Sequence, residues 1–144
     1  MRKFIKYCFN TNKWTPSKLE WINLLNSLPK EERENIAGYM FKRDCKQTLI
    51  GQILIRYCIK SFLNTKWNQL SIGRDSKNRP TLNLNETIKL GNLKQFTNKN
   101  TQIDFNVSHN GDFTAIVCGL LFNQGSNANS NGDAISSNNF RLGI

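Results

Sequence analysis

Two short stretches of this chain hold the side chains best suited to chemistry. The first is Gly73-Arg74-Asp75-Ser76-Lys77-Asn78-Arg79-Pro80, which places three cations within six residues. Such a bend can offer guanidinium forks, an ammonium point charge, the Asn78 amide and backbone N–H groups to a phosphate. Taken alone, it reads equally as a solvated basic turn. The second is Phe105-Asn106-Val107-Ser108-His109-Asn110-Gly111-Asp112. It gathers an amide, a hydroxyl and the single imidazole of the chain at a strand end. A histidine titrates near neutral pH and can donate to a phosphate oxygen. The bland alternative is a hydrogen-bonded turn histidine.

Other chemistries have less to draw on. The cysteines are Cys8, Cys45, Cys58 and Cys118. No pair has C-x-x-C spacing, and one histidine is too few for a common zinc site, so reduced core cysteines are expected. The net charge is +10, and 12 of the 20 Lys and Arg lie in residues 1–60 against five acids. That charge fits a nucleic acid, a phosphorylated small molecule or an acidic protein surface. No nucleic-acid reading module is recognisable, and the cations do not alternate with aromatics along one stripe. No apolar run reaches the length of a membrane helix, and the N-terminus lacks a signal-peptide core. Cytosol, without membrane or nucleic-acid partners, is the expected setting.

The elements that must position these stretches follow from periodicity and punctuation. Residues 3–9 read as a first strand. Thr15-Pro16 predicts a helix start capped by Thr15. That helix places Trp21, Ile22, Leu25 and Leu28 on one side and ends at Pro29. A second helix is predicted from Pro29, capped by Ser27 or Leu28. The longest helix is predicted over residues 44–63, its stripe being Ile50, Ile53, Leu54, Tyr57, Cys58 and Ser61, with Leu49, Ile55, Ile59 and Phe62 widening the apolar face. Strands 69–74 and 80–84 flank the basic turn. Residues 85–101 read as a polar loop. Residues 103–108 and 113–121 read as a hairpin joined through Asn110-Gly111.

Residues 1–122 are therefore expected to form one subdomain. Residues 123–139 are Asn/Ser-rich and expected to be a disordered loop. Residues 140–144 resume strand character, as if a second subdomain began there and the sequence were truncated.

In order and at compatible spacing, the series Trp14-Thr-Pro-Ser, Phe41-Lys-Arg-Asp-Cys-Lys, Gly51-Gln-Ile-Leu-Ile-Arg, Trp67-Asn and the two stretches above resembles a known family. It is similar to the 4′-phosphopantetheinyl transferases of the surfactin-synthetase type, in particular their aminoadipate-semialdehyde dehydrogenase branch. The likeness covers most of residues 14–120.

The resemblance implies an α+β fold of two similar halves, each a small antiparallel sheet packed on a long core helix. Coenzyme A would bind in the cleft between them. This chain would be the N-terminal half, truncated before the second, and a monomeric pseudo-dimer if full length. The family moves the phosphopantetheine arm of coenzyme A to a serine of an apo acyl or peptidyl carrier protein, releasing 3′,5′-ADP. By the resemblance, Arg74, Asp75, Ser76, Lys77, Asn78 and Arg79 would line the adenosine 3′-phosphate and adenine pocket. Asn106, Val107, Ser108 and His109 would form the other wall. Asn35, or nearby Arg33, would stand where the family has a further basic contact. Arg56 and Asp44 match positions that look structural. The family's Mg²⁺ ligands would begin just beyond Leu142-Gly143-Ile144, so no catalytic or metal residue is expected in this chain, nor any transfer by it alone. The competing reading is a non-catalytic remnant that binds coenzyme A or a carrier protein.

Overall fold

The computed structural model describes residues 2–96 and 101–122. The predicted loop 123–139 and strand 140–144 lie outside them. The elements run β1 (Arg2–Asn10), α1 (Lys18–Asn26), α2 (Lys30–Ala37), α3 (Lys42–Leu63), β2 (Ile72–Arg74), β3 (Pro80–Leu82), α4 (Leu84–Gly91), β4 (Thr101–Asn110) and β5 (Phe113–Phe122). Strands β1, β5 and β4 form an antiparallel sheet in that order, and β2 and β3 form a separate hairpin. The expected class, α+β with a small antiparallel sheet packed on a long helix, is the one observed.

The helix α3 packs on one face of the sheet. The strand β5 sends Thr114, Ile116, Cys118 and Leu120 into that interface, a strict two-residue period. Of these, Ile116 and Cys118 cluster with Ile55, Cys58, Ile59 and Leu63 of α3, with Ile103, Phe105 and Val107 of β4 packed alongside. A second cluster, Leu28, Ile36 and Leu49, joins α1 and α2 to α3. Burial at roughly 25 cal/mol per Å² of apolar surface makes these two clusters the main stabilising term.

Several sequence expectations need correction. Helix α1 is capped by Ser17, whose Oγ accepts from Glu20 N at 3.1 Å, and not by Thr15. Helix α1 ends before Pro29, which is itself the N-cap of α2 and provides no side-chain cap. In α1, Leu24 faces the core while Ile22 is exposed. In α3, Ile50, Cys58, Leu49, Ile55 and Ile59 are buried as expected, whereas Tyr57 and Ser61 are exposed and the polar Gln52 and Arg56 are buried instead. A helix apolar on most sides offers a period count no unique face, so the edges of the buried face differ from the expected stripe.

The stretch read as a polar loop contains α4. Its Asn83 side chain accepts from Glu86 N at 3.1 Å, and Asn92 closes it in the left-handed conformation, φ 50°. Asparagine is a good helix terminator at both ends, so Asn richness marked helix caps as much as a loop. Strand β2 begins only at Ile72, because Trp67–Gln69 is a 3₁₀ turn. All four cysteines are free, but Cys8 is exposed and Cys45 half-buried, leaving Cys58 and Cys118 as the core pair. Among the described residues, no helix is long and apolar enough to cross a membrane.

Candidate functional site

The basic bend is a three-residue hairpin loop, Ser76-Lys77-Asn78, closed by Asp75 N–H donating to Arg79 O at 2.9 Å. The N–H of Asn78 donates to Asp75 O at 2.9 Å, and Asn78 takes φ 60°. This is the turn-plus-left-handed-residue geometry that joins twisted strands in three-residue loops. The Asp75 carboxylate organises it. Its Oδ1 accepts from the N–H groups of Lys77 and Arg79, each at 2.9 Å, and Oδ2 accepts from Arg79 Nε at 2.8 Å. The backbone donation from Arg79 is the main reason its pKa falls below the ordinary value.

One expectation changes here. Backbone N–H groups were expected to face a phosphate, yet those of Asp75, Lys77, Asn78 and Arg79 are bonded within the turn. The backbone carbonyl of Asn78 accepts from Arg74 Nη1 at 2.9 Å, which leaves the Asn78 side-chain amide uncommitted by that bond. Short polar side chains such as Asp75 that bond their own backbone make such closed turns. Side-chain donors that remain for a ligand include the exposed Lys77, the Asn78 amide and the remaining guanidinium hydrogens of Arg74 and Arg79.

Arg74 also reaches across to α2, where its Nη2 donates to Glu32 Oε2 at 2.8 Å. Behind that pair lies Arg56 of α3, only 2% exposed, donating through Nη1 to Gln52 Oε1 at 2.6 Å. Burial lowers the Arg56 pKa most; the Glu32 charge opposes that shift and the Arg74 charge adds to it. Glu32 lies in the first turn of α2, where an acid is also favoured simply by the helix dipole. Its pairing joins residues far apart in the chain, and a charged residue in the first turn of an otherwise polar helix carries no signal for it.

The second stretch lies on β4, an edge strand, and its residues divide by parity. Val107 and His109 face α3: a Cβ built on Gly51 would meet His109 Cε1 at 3.3 Å and Val107 Cγ1 at 3.4 Å. Asn106 and Ser108 fall on the opposite, exposed face of the sheet. His109 is also bonded through Nδ1 to Thr114 Oγ1 at 2.9 Å, and burial lowers its pKa. The hairpin tip is tied down by α3. The Gly111 carbonyl accepts from Arg43 Nη2 and from Gln47 Nε2, the latter at 2.9 Å. Gly111 opens the two-residue turn with φ 58°, a conformation that favours glycine.

Arg43, Gln47 and Gly51 thus form one stripe of α3, at i, i+4 and i+8, that holds the β4–β5 hairpin. Gln52 and Arg56 begin a second stripe, turned about 100° from the first, beneath Arg74. Neighbouring turns of α3 therefore adjoin both segments, the hairpin directly and the bend through Glu32 and Arg56. Among the described residues, no hydrogen bond or ion pair joins residues 74–79 to 106–109 directly. An open groove beside the bend is lined by Gly73, Arg74 and residues 81–85, none of them from β4. Arg33 donates to Asn26 Oδ1 at 3.2 Å, toward α1, and Asn35 is exposed. No group of three or more potential metal ligands gathers among the described residues.

Residues 12–120 match the family described as 4′-phosphopantetheinyl transferase, N-terminal. The chain is 30% identical over 113 residues to the human L-aminoadipate-semialdehyde dehydrogenase-phosphopantetheinyl transferase and 32% identical to the rat protein. Each match covers 78% of this chain and 33% of the relative, so the chain spans about a third of the length of these relatives. Its fold is similar to that of the Helicobacter pylori holo-[acyl-carrier-protein] synthase, solved in complex with coenzyme A. The TM-score is 0.52 at 14% identity, over 81% of this chain and 97% of that one. A second synthase structure, the Chronobacterium ammoniagenes ACPS-CoA complex, has a TM-score of 0.50 at 11% identity, over 86% of this chain and 99% of the other. The hairpin that α3 ties down and the bend that Asp75 closes are the two motifs within a matched span of more than a hundred residues, and this chain belongs to the 4′-phosphopantetheinyl transferase family through its N-terminal domain.

Proposed function

We propose that this chain grips the adenosine 3′-phosphate end of coenzyme A for a phosphopantetheinyl transfer. The observation that carries the reading is that α3 adjoins both neighbourhoods within two turns: Gly51 lies against His109, and the buried Arg56, bonded to Gln52, feels the charges of Glu32 and Arg74. Lys77, Arg79 and Arg74 supply charge-assisted donors. Counting Arg56 against Glu32 and Asp75, four cations face two carboxylates, which leaves net charge for an anion. His109 supplies a further donor from the helix-facing side of β4. Asn106 and Ser108 serve a ligand that extends over the outer sheet face, with Val107 as the apolar spacer between them. Ser76 sits at the tip of the bend. Asn35 lies about 60° around α2 from Glu32 and Arg33 about 100°, so Asn35 is the better placed of the two for an added contact.

In the reaction proposed, a serine hydroxyl of an apo acyl or peptidyl carrier protein attacks the phosphorus attached to the pantetheine arm. The bond to the bridging pyrophosphate oxygen breaks, 3′,5′-ADP leaves, and the hydroxyl proton is released. The divalent cation that the family implies would offset charge on the pyrophosphate. No set of described residues fits that ion, so no step is assigned through it. The basic surface suits an acidic carrier helix. The alternative, a domain that binds coenzyme A or a carrier protein without transferring anything, shares the same site. Incubation of the chain joined to a family C-terminal domain with an apo carrier protein, coenzyme A and Mg²⁺ separates the two: transfer supports the first reading and its absence the second.

The direct test follows amide and imidazole NMR shifts while coenzyme A or dephospho-coenzyme A is titrated into the chain. Coenzyme A should perturb Arg74, Lys77, Arg79 and His109. The pair of changes Arg74→Ala and Arg79→Ala should weaken coenzyme A by about 10–100-fold, from roughly 1.5–3 kcal/mol for charge-assisted contacts. Dephospho-coenzyme A should lose much less. Equal losses for both ligands would remove the 3′-phosphate from this turn.

A further inference from the structure

His109 and Thr114 stand opposite each other in the β4–β5 register, with Nδ1 and Oγ1 2.9 Å apart. Thr114 is fully buried, and His109 is the partner of its hydroxyl among the described residues. Two tautomers are possible, and they differ in what they do to that hydroxyl. With the imidazole proton on Nδ1, the ring donates to Oγ1, and the hydroxyl hydrogen has no acceptor in a buried site. With Nδ1 bare, the hydroxyl donates to it, and both groups are satisfied. A buried donor left unpaired is costly, so the second arrangement is favoured.

We propose that Thr114 is a positioning residue that fixes His109 as the Nε2–H tautomer, so that the imidazole presents an N–H donor to an anionic oxygen. The inference deepens the reading of His109 as a phosphate contact and rests on it for the identity of the anion. Gly51 contributes by leaving room for the ring: a Cβ there would lie 3.3 Å from Cε1 and 3.7 Å from Nε2. Arg43 and Gln47 hold the hairpin backbone through the Gly111 carbonyl, which fixes where the His109 backbone sits against α3. Burial pushes the imidazole toward its neutral form, the only state in which a tautomer is defined.

The chain has a single histidine, so one pair of imidazole nitrogen resonances reports the site. The test is nitrogen-detected NMR of the histidine-labelled 144-residue chain at a pH above the imidazole transition. The expected spectrum has Nδ1 in the unprotonated range and Nε2 in the protonated range. Thr114→Val, which keeps the shape and removes the hydroxyl, should lower the ratio of Nε2–H to Nδ1–H tautomer about tenfold. Thr114→Ser should restore it. A wild-type spectrum dominated by the Nδ1–H form overturns the proposal even if the valine variant fails to fold. An unchanged ratio in a folded valine variant overturns it as well. Addition of 3′,5′-ADP then separates the two readings. If Nε2–H dominates but does not respond to the nucleotide, the tautomer assignment stands and the phosphate reading falls.

Discussion

The Glu32 carboxylate on α2 and the Arg74 guanidinium on β2 meet at 2.8 Å, 42 residues apart in sequence, with the buried Arg56 behind them. The Glu32 side chain is 9% exposed and that of Arg74 is 27% exposed, so solvent screens the pair only in part. Removing either partner is not symmetric. Glu32→Gln leaves two cations facing each other, one of them buried, whereas Arg74→Gln leaves a buried anion beside a buried cation. Glu32→Gln should therefore cost more, about 3 kcal/mol in urea unfolding, with Arg74→Gln clearly below it. The reverse order would mean that Arg56 is balanced by something other than Glu32.

Asp75 closes the basic bend, and its depressed pKa gives a signed pH effect. A carboxylate whose folded pKa lies below its ordinary 3.8 stabilises the fold above that value. The contribution disappears as pH falls through the folded pKa. Melting temperature should thus fall more steeply below pH 4 in the wild type than in Asp75→Asn. Parallel curves would show that the turn holds without the charge.

His109 works in the opposite range. Burial holds its folded pKa below the ordinary 6.5, so the unfolded chain takes up the proton more readily. Stability should be full above about pH 6.5 and should decline as pH drops toward the folded pKa. His109→Gln should flatten that part of the profile. Because the wild type has one histidine, a slope that persists between pH 5.5 and 6.5 in the variant would refute the assignment.

Gly51 is buried in the middle of α3, where glycine normally weakens a helix by about 0.5–1 kcal/mol relative to alanine. Gly51→Ala should nonetheless change stability by less than about 1 kcal/mol, because its Cβ would press on His109 Cε1 at 3.3 Å. Gly51→Leu should cost about 1–3 kcal/mol or more and should displace the imidazole resonance. A stabilised leucine variant with an unchanged histidine signal would place the ring elsewhere.

Much of the fold was readable along the chain because its signals are local. The existence of β1, the helices α1 to α3 and the β4–β5 hairpin follows from apolar period, proline and an Asn-Gly pair. Both motifs stand out by residue type, and the order of the matched segments alone points to the family. The helix α4 was missed because asparagines that cap a helix look like asparagines that fill a loop. The partners of the site residues were missed for a different reason. The Arg43–Gln47–Gly51 stripe touches the hairpin only after α3 has docked on the sheet, Glu32 meets Arg74 only once α2 lies beside β2, and Thr114 meets His109 only in the β4–β5 register.

What the sequence determined by itself is therefore the inventory: a cationic bend, a strand carrying one histidine, and the helices and strands that bear them. Tertiary structure decided which of those charges are spent internally, which face of β4 each polar residue occupies, and which nitrogen of His109 is left to donate. The reason is physical. Period and capping act over a few residues, but the partners of Glu32 and of the Gly111 carbonyl come from more than forty residues away, and whether a side chain such as Thr114 is buried is set by what packs over it.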